Sequence, residues 1–337
     1  MSGRVLIVGQ GLAGTALALE LEAAGIPFVI ASEGHARAAS RVAAGLVNPI
    51  SGQRFVKAWR VEELLPFAEQ WYRAAGARLG VELWHPLRLR RLLAGDIEAA
   101  RAAKKLASGE LAPFAMAGEG GLAIRGAAWV DLPALLETAA ARWSARGELC
   151  AAAVQREELA ADATGVTWRG ERFAAAILCT GAGALARGWF AELPFEAAKG
   201  EIVHVRGAEL AAGEAVSRGT WVLPDGGSGA RIGATYERGV EDDVPTAAAR
   251  ERLLAEACEL VAGELAVIEQ RVGVRLGLSD RLPGIGWREG LRMGFFGALG
   301  SKGALCAPWL ARVWREVLAG SDAAWPAAVA IGRFGRR

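Results

Sequence analysis

Arg4-Val5-Leu6-Ile7-Val8-Gly9-Gln10-Gly11-Leu12-Ala13-Gly14 is the stretch that decides the fold. A short apolar run feeds straight into Gly9-x-Gly11-x-x-Gly14, which opens a helix-like stretch from Thr15 to Ala24. Gly25-Ile26-Pro27 then turns the chain into a second apolar run, Phe28-Val29-Ile30-Ala31. This is a β-turn-α-β unit with glycines where a dinucleotide needs them. The first allows the tight turn, the second lets the backbone approach a pyrophosphate, and the third lets helix and strand pack closely. The phosphates are expected at the helix N-terminus, where unpaired N–H groups and the helix dipole favour negative charge. An ordinary glycine-rich turn is the bland alternative, and it does not account for strand, turn, helix and second strand in that order.

The bulk numbers fit a globular protein. The 337 residues allow two domains or one large core with an embedded cap, and 53% hydrophobic with 23% charged residues argues against disorder. A formal charge of +2 argues against a dedicated nucleic-acid surface. The basic runs Arg88 to Arg91 and Arg336-Arg337 are short enough to read as solvated surface. Cys150, Cys179, Cys258 and Cys306 lie far apart with no CxxC pair, so neither a metal site nor a disulfide framework is expected, and a reducing cytoplasm fits. Glu20 and Glu22 interrupt the apolar start, which therefore does not read as a signal peptide. No run of about twenty uncharged apolar residues predicts a membrane span.

Further along, Ser40 to Gly45 is a run of small residues that leads into the turn signals of Asn48-Pro49 and Ser51-Gly52. Helical periodicity covers Val61 to Gly80, with Glu62 and Glu63 in its first turn, and a second helix is expected near Asp96 to Leu106. Asp131-Leu132-Pro133 reads as an N-cap with proline in the first turn of a helix reaching Arg146. Strands are expected at Leu149 to Gln155, Gly165 to Trp168 and Phe173 to Cys179, the last two joined by a turn at Arg169 to Arg172. Lys199 to Val205, Thr220 to Leu223 and Arg231 to Tyr236 read as antiparallel strands. A helix from Thr246 to Ala262 follows the acidic loop Glu241 to Pro245. The strand Glu269 to Leu276, the strand Leu291 to Phe296, the loop Gly297 to Gly303 and a helix to Leu318 complete the chain.

With these segments in order, nearly the whole chain resembles the FAD-dependent oxidoreductases of the glycine oxidase and D-amino-acid oxidase family. Gly9-x-Gly11-x-x-Gly14 resembles that family's pyrophosphate loop, Ser40 to Gly45 its segment beside the flavin, and Ile177 to Ala182 its hydrophobic strand ending in Thr-Gly. Gly273-Val274-Arg275, Asp280 to Gly286 and Gly297 to Gly303 resemble its C-terminal signature. The resemblance implies an α/β fold: a discontinuous Rossmann-like FAD-binding domain (1–60, 131–190 and 273–330) with an inserted antiparallel-sheet α+β substrate domain (61–130 and 191–272). It implies FAD as cofactor, and oxidation of a small-molecule amine or amino acid at the carbon bearing the nitrogen. Oxygen or another electron acceptor would take the electrons on. A flavoprotein acting on a modified tRNA base, a non-catalytic flavin-binding protein and an NAD-dependent dehydrogenase are the competing readings. The last leaves the C-terminal glycine loop unexplained.

By the same resemblance, the expected FAD contacts are Gly9, Gly11, Leu12, Ala13, Gly14, Ser40, Arg41, Ala44, Gly45, Val154, Thr180, Gly181, Ala182, Gly300, Ser301, Lys302 and Gly303. The acidic residue that ends the second strand in the family is replaced here by Ser32 with Glu33 beside it, so either residue is a candidate for the adenosine ribose. Arg275 matches an arginine that clamps a substrate carboxylate, a task suited to a guanidinium fork; the alternative is an ion pair with the acidic loop. Leu276, where the family often has proline, departs from the pattern. Lys302 is read as a positive charge near the flavin or as a solvent-facing lysine. Tyr236 and Trp221 could wall the pocket, and Asn48, Arg54 and Lys57 follow the flavin-side segment. His35, His85 and His204 fall in no cofactor motif and read as structural or surface residues.

Overall fold

The computed structural model describes residues 3–36, 38–321 and 325–335, so Arg336-Arg337 lies outside the described residues. At its centre the fully buried strand Val5–Val8 is paired in parallel on both sides, with Phe28–Ser32 and with Ala175–Leu178. Leu149–Ala151 extends the sheet in parallel beyond one neighbour and Met293–Gly297 beyond the other, while Gly284–Trp287 closes the edge antiparallel. Strands buried on both faces read as continuous apolar runs, which is why these segments were legible. The helix Leu12–Ala23 is buried from Leu12 to Leu21 because Gly303–Leu318 and Leu132–Ala145 pack against it. Leu132–Ala145 starts as read: the Asp131 carboxylate accepts the Ala134 N–H at 3.0 Å, and a proline stands in the first turn.

A second, ten-stranded sheet covers the first unit. Its longest pair is Phe195–Arg206 with Ala266–Leu278, antiparallel along its length. Every neighbouring pair is antiparallel except Glu214–Arg218 with Trp84–Leu92, where the chain returns to a strand laid down far earlier. On one face Val203, Val205, Val216, Val222, Ala230 and Ile232 pack with Leu253 and Ala257 of the helix Ala247–Cys258. Alternation therefore turns Gly200, Ile202, Arg231, Gly233, Gly273 and Arg275 to the opposite, inward face. There the short helix Ala39–Val42 presses on the sheet, since a Cβ on Gly273 would lie 3.3 Å from the Ala39 Cα. Residues 273–278, grouped with the cofactor segments in the sequence reading, are hydrogen-bonded into this second sheet.

Three local expectations are corrected. The turn at Arg169-Gly170 joins Val166–Trp168 to a separate short strand, Glu171–Phe173, and not to the strand ending near Cys179. Both turn residues have left-handed backbone (φ 50° and 79°), the two-residue geometry that closes a hairpin at once. The strand expected over Leu149 to Gln155 ends at Ala151, and Val154 is buried beyond it. Tyr236 is not on a strand: the strand Gly229–Gly233 stops short of it, leaving its ring 54% exposed.

Glu20 joins the helices behind the sheet. Although 2% exposed, it accepts the Trp71 indole N–H at 2.8 Å and the Arg312 guanidinium at 2.6 Å, tying together the helices Leu12–Ala23, Val61–Leu79 and Gly303–Leu318. Leucine at this position would strand the buried indole N–H, so Glu20→Leu is expected to lower unfolding free energy by about 1–3 kcal/mol. Glu20→Gln, which keeps an acceptor, should lose less, and urea denaturation of the two variants makes the comparison.

Candidate active site

All five parallel strands end at one edge, so the chain leaves the sheet there at Gly9, Glu33, Ala152, Cys179 and Ala298. The three glycines of the fingerprint separate by role. Gly9 has φ +100°, and a Cβ would sit 2.7 Å from the Cys179 carbonyl; at Gly14 a Cβ would sit 2.0 Å from the Gly9 carbonyl. These two are required by the fold. At Gly11 the nearest atom to an added Cβ is Ser40 Oγ at 3.5 Å, so its bare backbone keeps an approach open and is not demanded by packing. Ser40 Oγ accepts the Leu12 N–H at 3.2 Å, bringing the flavin-side segment to the helix N-terminus. The Ala13 and Gly14 amides have no carbonyl four residues back to bond and point outward from the first turn.

The neighbouring strand ends add polar groups. Ser32 is buried, its hydroxyl bonded to the Gly34 amide at 3.2 Å, whereas Glu33 is exposed and paired with Arg187 at 2.5 Å. The structure thus gives Glu33 a protein partner and ties the ends of two strands. His35 Nδ1 lies 2.8 Å from Gln10 Oε1, and Gln10 Nε2 donates to the Leu136 carbonyl. Since Gln10 Oε1 only accepts, His35 carries its proton on Nδ1. Burial, then Arg41, lowers the His35 pKa, so the ring is neutral at pH 7. Thr180 Oγ1 is buried with no partner among the described residues. Gly181 follows with φ +54° and open space where a Cβ would project, and Ala182 caps the short helix Gly183–Ala186. The Val154 side chain packs in the core, and Arg41 pairs with Glu137.

The C-terminal loop closes the arrangement. Gly300 has φ +53° with open space beside it, Ser301 is exposed, and Gly303 begins the last long helix, where an added Cβ would lie 3.3 Å from the Leu12 side chain. The Lys302 amine is buried and donates to the Asn48 carbonyl at 2.9 Å, which brings two sequence candidates together. The Asn48 side chain is engaged locally, accepting the Ile50 N–H at 3.0 Å. Burial pushes the Lys302 pKa down to about 8. Lys57 pairs with Glu62. Arg275 and Tyr236 form the other pair: the guanidinium lies 5.7 Å from the phenol ring and donates to the Thr235 carbonyl at 3.2 Å. It has no carboxylate partner among the described residues, and Asp242 of the acidic loop pairs instead with Lys199 at 2.6 Å. Room for Arg275 comes from Gly200, where a Cβ would lie 2.2 Å from Nη1. Arg231, which the sequence reading passed over as one residue of an alternating strand, is buried on the same inward face.

An open helix terminus, bare glycine backbone on three loops and an orphan hydroxyl fit an anionic dinucleotide. Gly11→Ala should leave the melting temperature unchanged but weaken FAD binding by at least about tenfold. Gly14→Ala should instead cost about 1–3 kcal/mol of stability. Lys302 is cationic below pH about 8, and a bound anion raises its pKa further, so FAD affinity should fall several-fold as pH rises from about 7 to about 9. Lys302→Met should abolish that dependence in a titration followed by flavin fluorescence.

The chain is similar over nearly its whole length to several solved structures. Glycine oxidase from Geobacillus kaustophilus superposes with a TM-score of 0.79 at 23% identity, covering 97% of this chain and 98% of that one. Iminodiacetate oxidase from Chelativorans sp. BNC1 gives 0.75 at 21% identity, with 96% and 97% covered. L-amino acid deaminase from Proteus vulgaris gives 0.76 at 14% identity, with 98% and 97% covered. At these identities the likeness establishes a shared fold, the Rossmann-like unit with its antiparallel companion. The family model for FAD dependent oxidoreductases (DAO) matches residues 4–316, and the chain belongs to that FAD-dependent family.

Proposed function

We propose that this oxidoreductase takes a hydride from the C–H next to nitrogen in an amine or amino acid that carries a carboxylate. The observation that carries the reading is Arg275: a guanidinium on the inward face, desolvated enough for burial to lower its pKa, and without a carboxylate partner among the described residues. Leaving such a group unpaired is costly, and a ligand carboxylate would supply the missing charge through two parallel N–H···O bonds. Glycine oxidase and iminodiacetate oxidase, by their names, act on carboxylate-bearing amines, which supports the same class here.

In this reading 1–60, 131–190 and 273–330 supply the FAD site, with Arg275 reaching into the substrate wall, and 61–130 and 191–272 complete that wall. The glycine-bearing loops and the Ser32 region hold the dinucleotide, with Ser32 and Glu33 both near the adenosine end. When bound, the flavin supplies the two-electron acceptor, later reoxidised by oxygen or another acceptor. Arg275 fixes the carboxylate and so the direction of the neighbouring C–H. Trp221, half-buried against Gly233 on the inward face, and Tyr236 at the exposed rim bound the space beside it. Lys302 holds a proton on Nζ at neutral pH and, with the helix N-terminus at Gly303, favours negative charge developing nearby. No described helix is long and apolar enough to cross a membrane.

Anaerobic mixing with a panel of amines and amino acids should bleach the flavin absorbance for carboxylate-bearing members. Arg275→Ala should retain FAD and raise KM for them roughly a hundredfold, the loss of about 2–3 kcal/mol of charge-assisted hydrogen bonding. Equal losses for substrates with and without a carboxylate would remove the clamp.

A further inference from the structure

A buried arginine holds the Ala44–Gly45 peptide from behind. Arg231, on the strand Gly229–Gly233, is 8% exposed and faces inward. Its Nη1 donates to the Ala44 carbonyl at 3.1 Å and its Nη2 to the Pro224 carbonyl at 2.9 Å, while the guanidinium lies 4.6 Å from the centre of the Trp129 ring. Its Nε is buried with no partner, and Asp131 and Asp225 act on the guanidinium through space without forming an ion pair with it. A neutral apolar side chain of similar size would fill this space at lower cost.

The pinned peptide has a direction. C=O and N–H point opposite ways across a trans peptide, so drawing the Ala44 oxygen toward Arg231 turns the Gly45 N–H to the other side. Gly45 cannot relax by rotating: its φ is +68°, a Cβ would lie 2.0 Å from the Val130 carbonyl, and its own carbonyl accepts the Val130 N–H at 3.0 Å. Its N–H has no acceptor among the described residues although the residue is buried. A cation on the carbonyl side polarises the same peptide and strengthens that N–H as a donor.

We propose that Arg231 is a positioning residue that orients and polarises the Gly45 amide as a fixed hydrogen-bond donor to the bound flavin. The proposal rests on the reading that residues 40–45 border the flavin. The test compares wild type with Arg231→Met by FAD titration of apoprotein, by the visible flavin spectrum and by amide hydrogen exchange over residues 40–46 with and without FAD. The expected result is an Arg231→Met protein of native melting temperature whose flavin band is shifted, whose FAD affinity is lower by about tenfold, and whose Gly45 amide loses its FAD-dependent protection. Wild-type band, affinity and protection in the variant would overturn the proposal. Absence of FAD-dependent protection over 40–46 in wild type would instead remove the underlying reading, and the proposal with it. Should the methionine variant not fold, Arg231→Gln, which keeps a donor but drops the charge, is read in the same way: a shifted band supports the proposal and an unchanged band with unchanged affinity overturns it.

Discussion

A strand hydrogen-bonded in parallel on both sides can release its neighbours only at the same edge, and Val5–Val8 imposes that condition on the whole molecule. Segments from the start, middle and end of the chain therefore leave the sheet side by side, whatever their separation in sequence. The carboxyl edge of such a sheet is where ligands of open α/β folds bind, because loops diverge there and helix N-termini converge. The packing of Gly303 on Leu12 adds the second long helix terminus to the first. Residues around the site inherit their positions from this edge or from the inward face of the second sheet that covers it.

Two arginines on that inward face make no ion pair among the described residues. Arg275 and Arg231 lie on it without carboxylate partners among the described residues, and Lys302 has its amine bonded only to a carbonyl. Elsewhere buried charges are matched: Glu20 has Trp71 and Arg312, and Lys199 has Asp242. Cations without an ion-pair partner suit anionic ligands. A flavin dinucleotide and a carboxylate-bearing substrate are both anions.

The sequence made the central sheet legible because parallel strands buried on both faces read as unbroken apolar runs, and because Gly9 and Gly14 are dictated by backbone contacts of the fold itself. The Asp131 cap likewise announced its helix start. Less was visible where identity and position separate. The Arg169-Gly170 turn was recognised, yet which strand it fed depended on a pairing with Val166–Trp168 that no local signal specifies. Arg231 looked like any charged residue on a half-exposed strand until the inward face proved to be covered by Ala44 and Trp129. Glu33 stood at the right spacing for a ribose contact, but its pairing with Arg187 needed the third dimension. The proposed substrate class rests on Arg275, whose lack of a carboxylate partner among the described residues no local sequence signal announces.

A crystal structure of the protein with FAD bound tests the central claim most directly. The expected result is one FAD whose pyrophosphate lies against Gly11, whose length passes the Thr180-Gly181 turn, and whose ring system reaches the Gly300 to Gly303 loop beneath Arg275. A dinucleotide held by the first loop alone, with the C-terminal loop and the inward face of the second sheet out of reach, would contradict it.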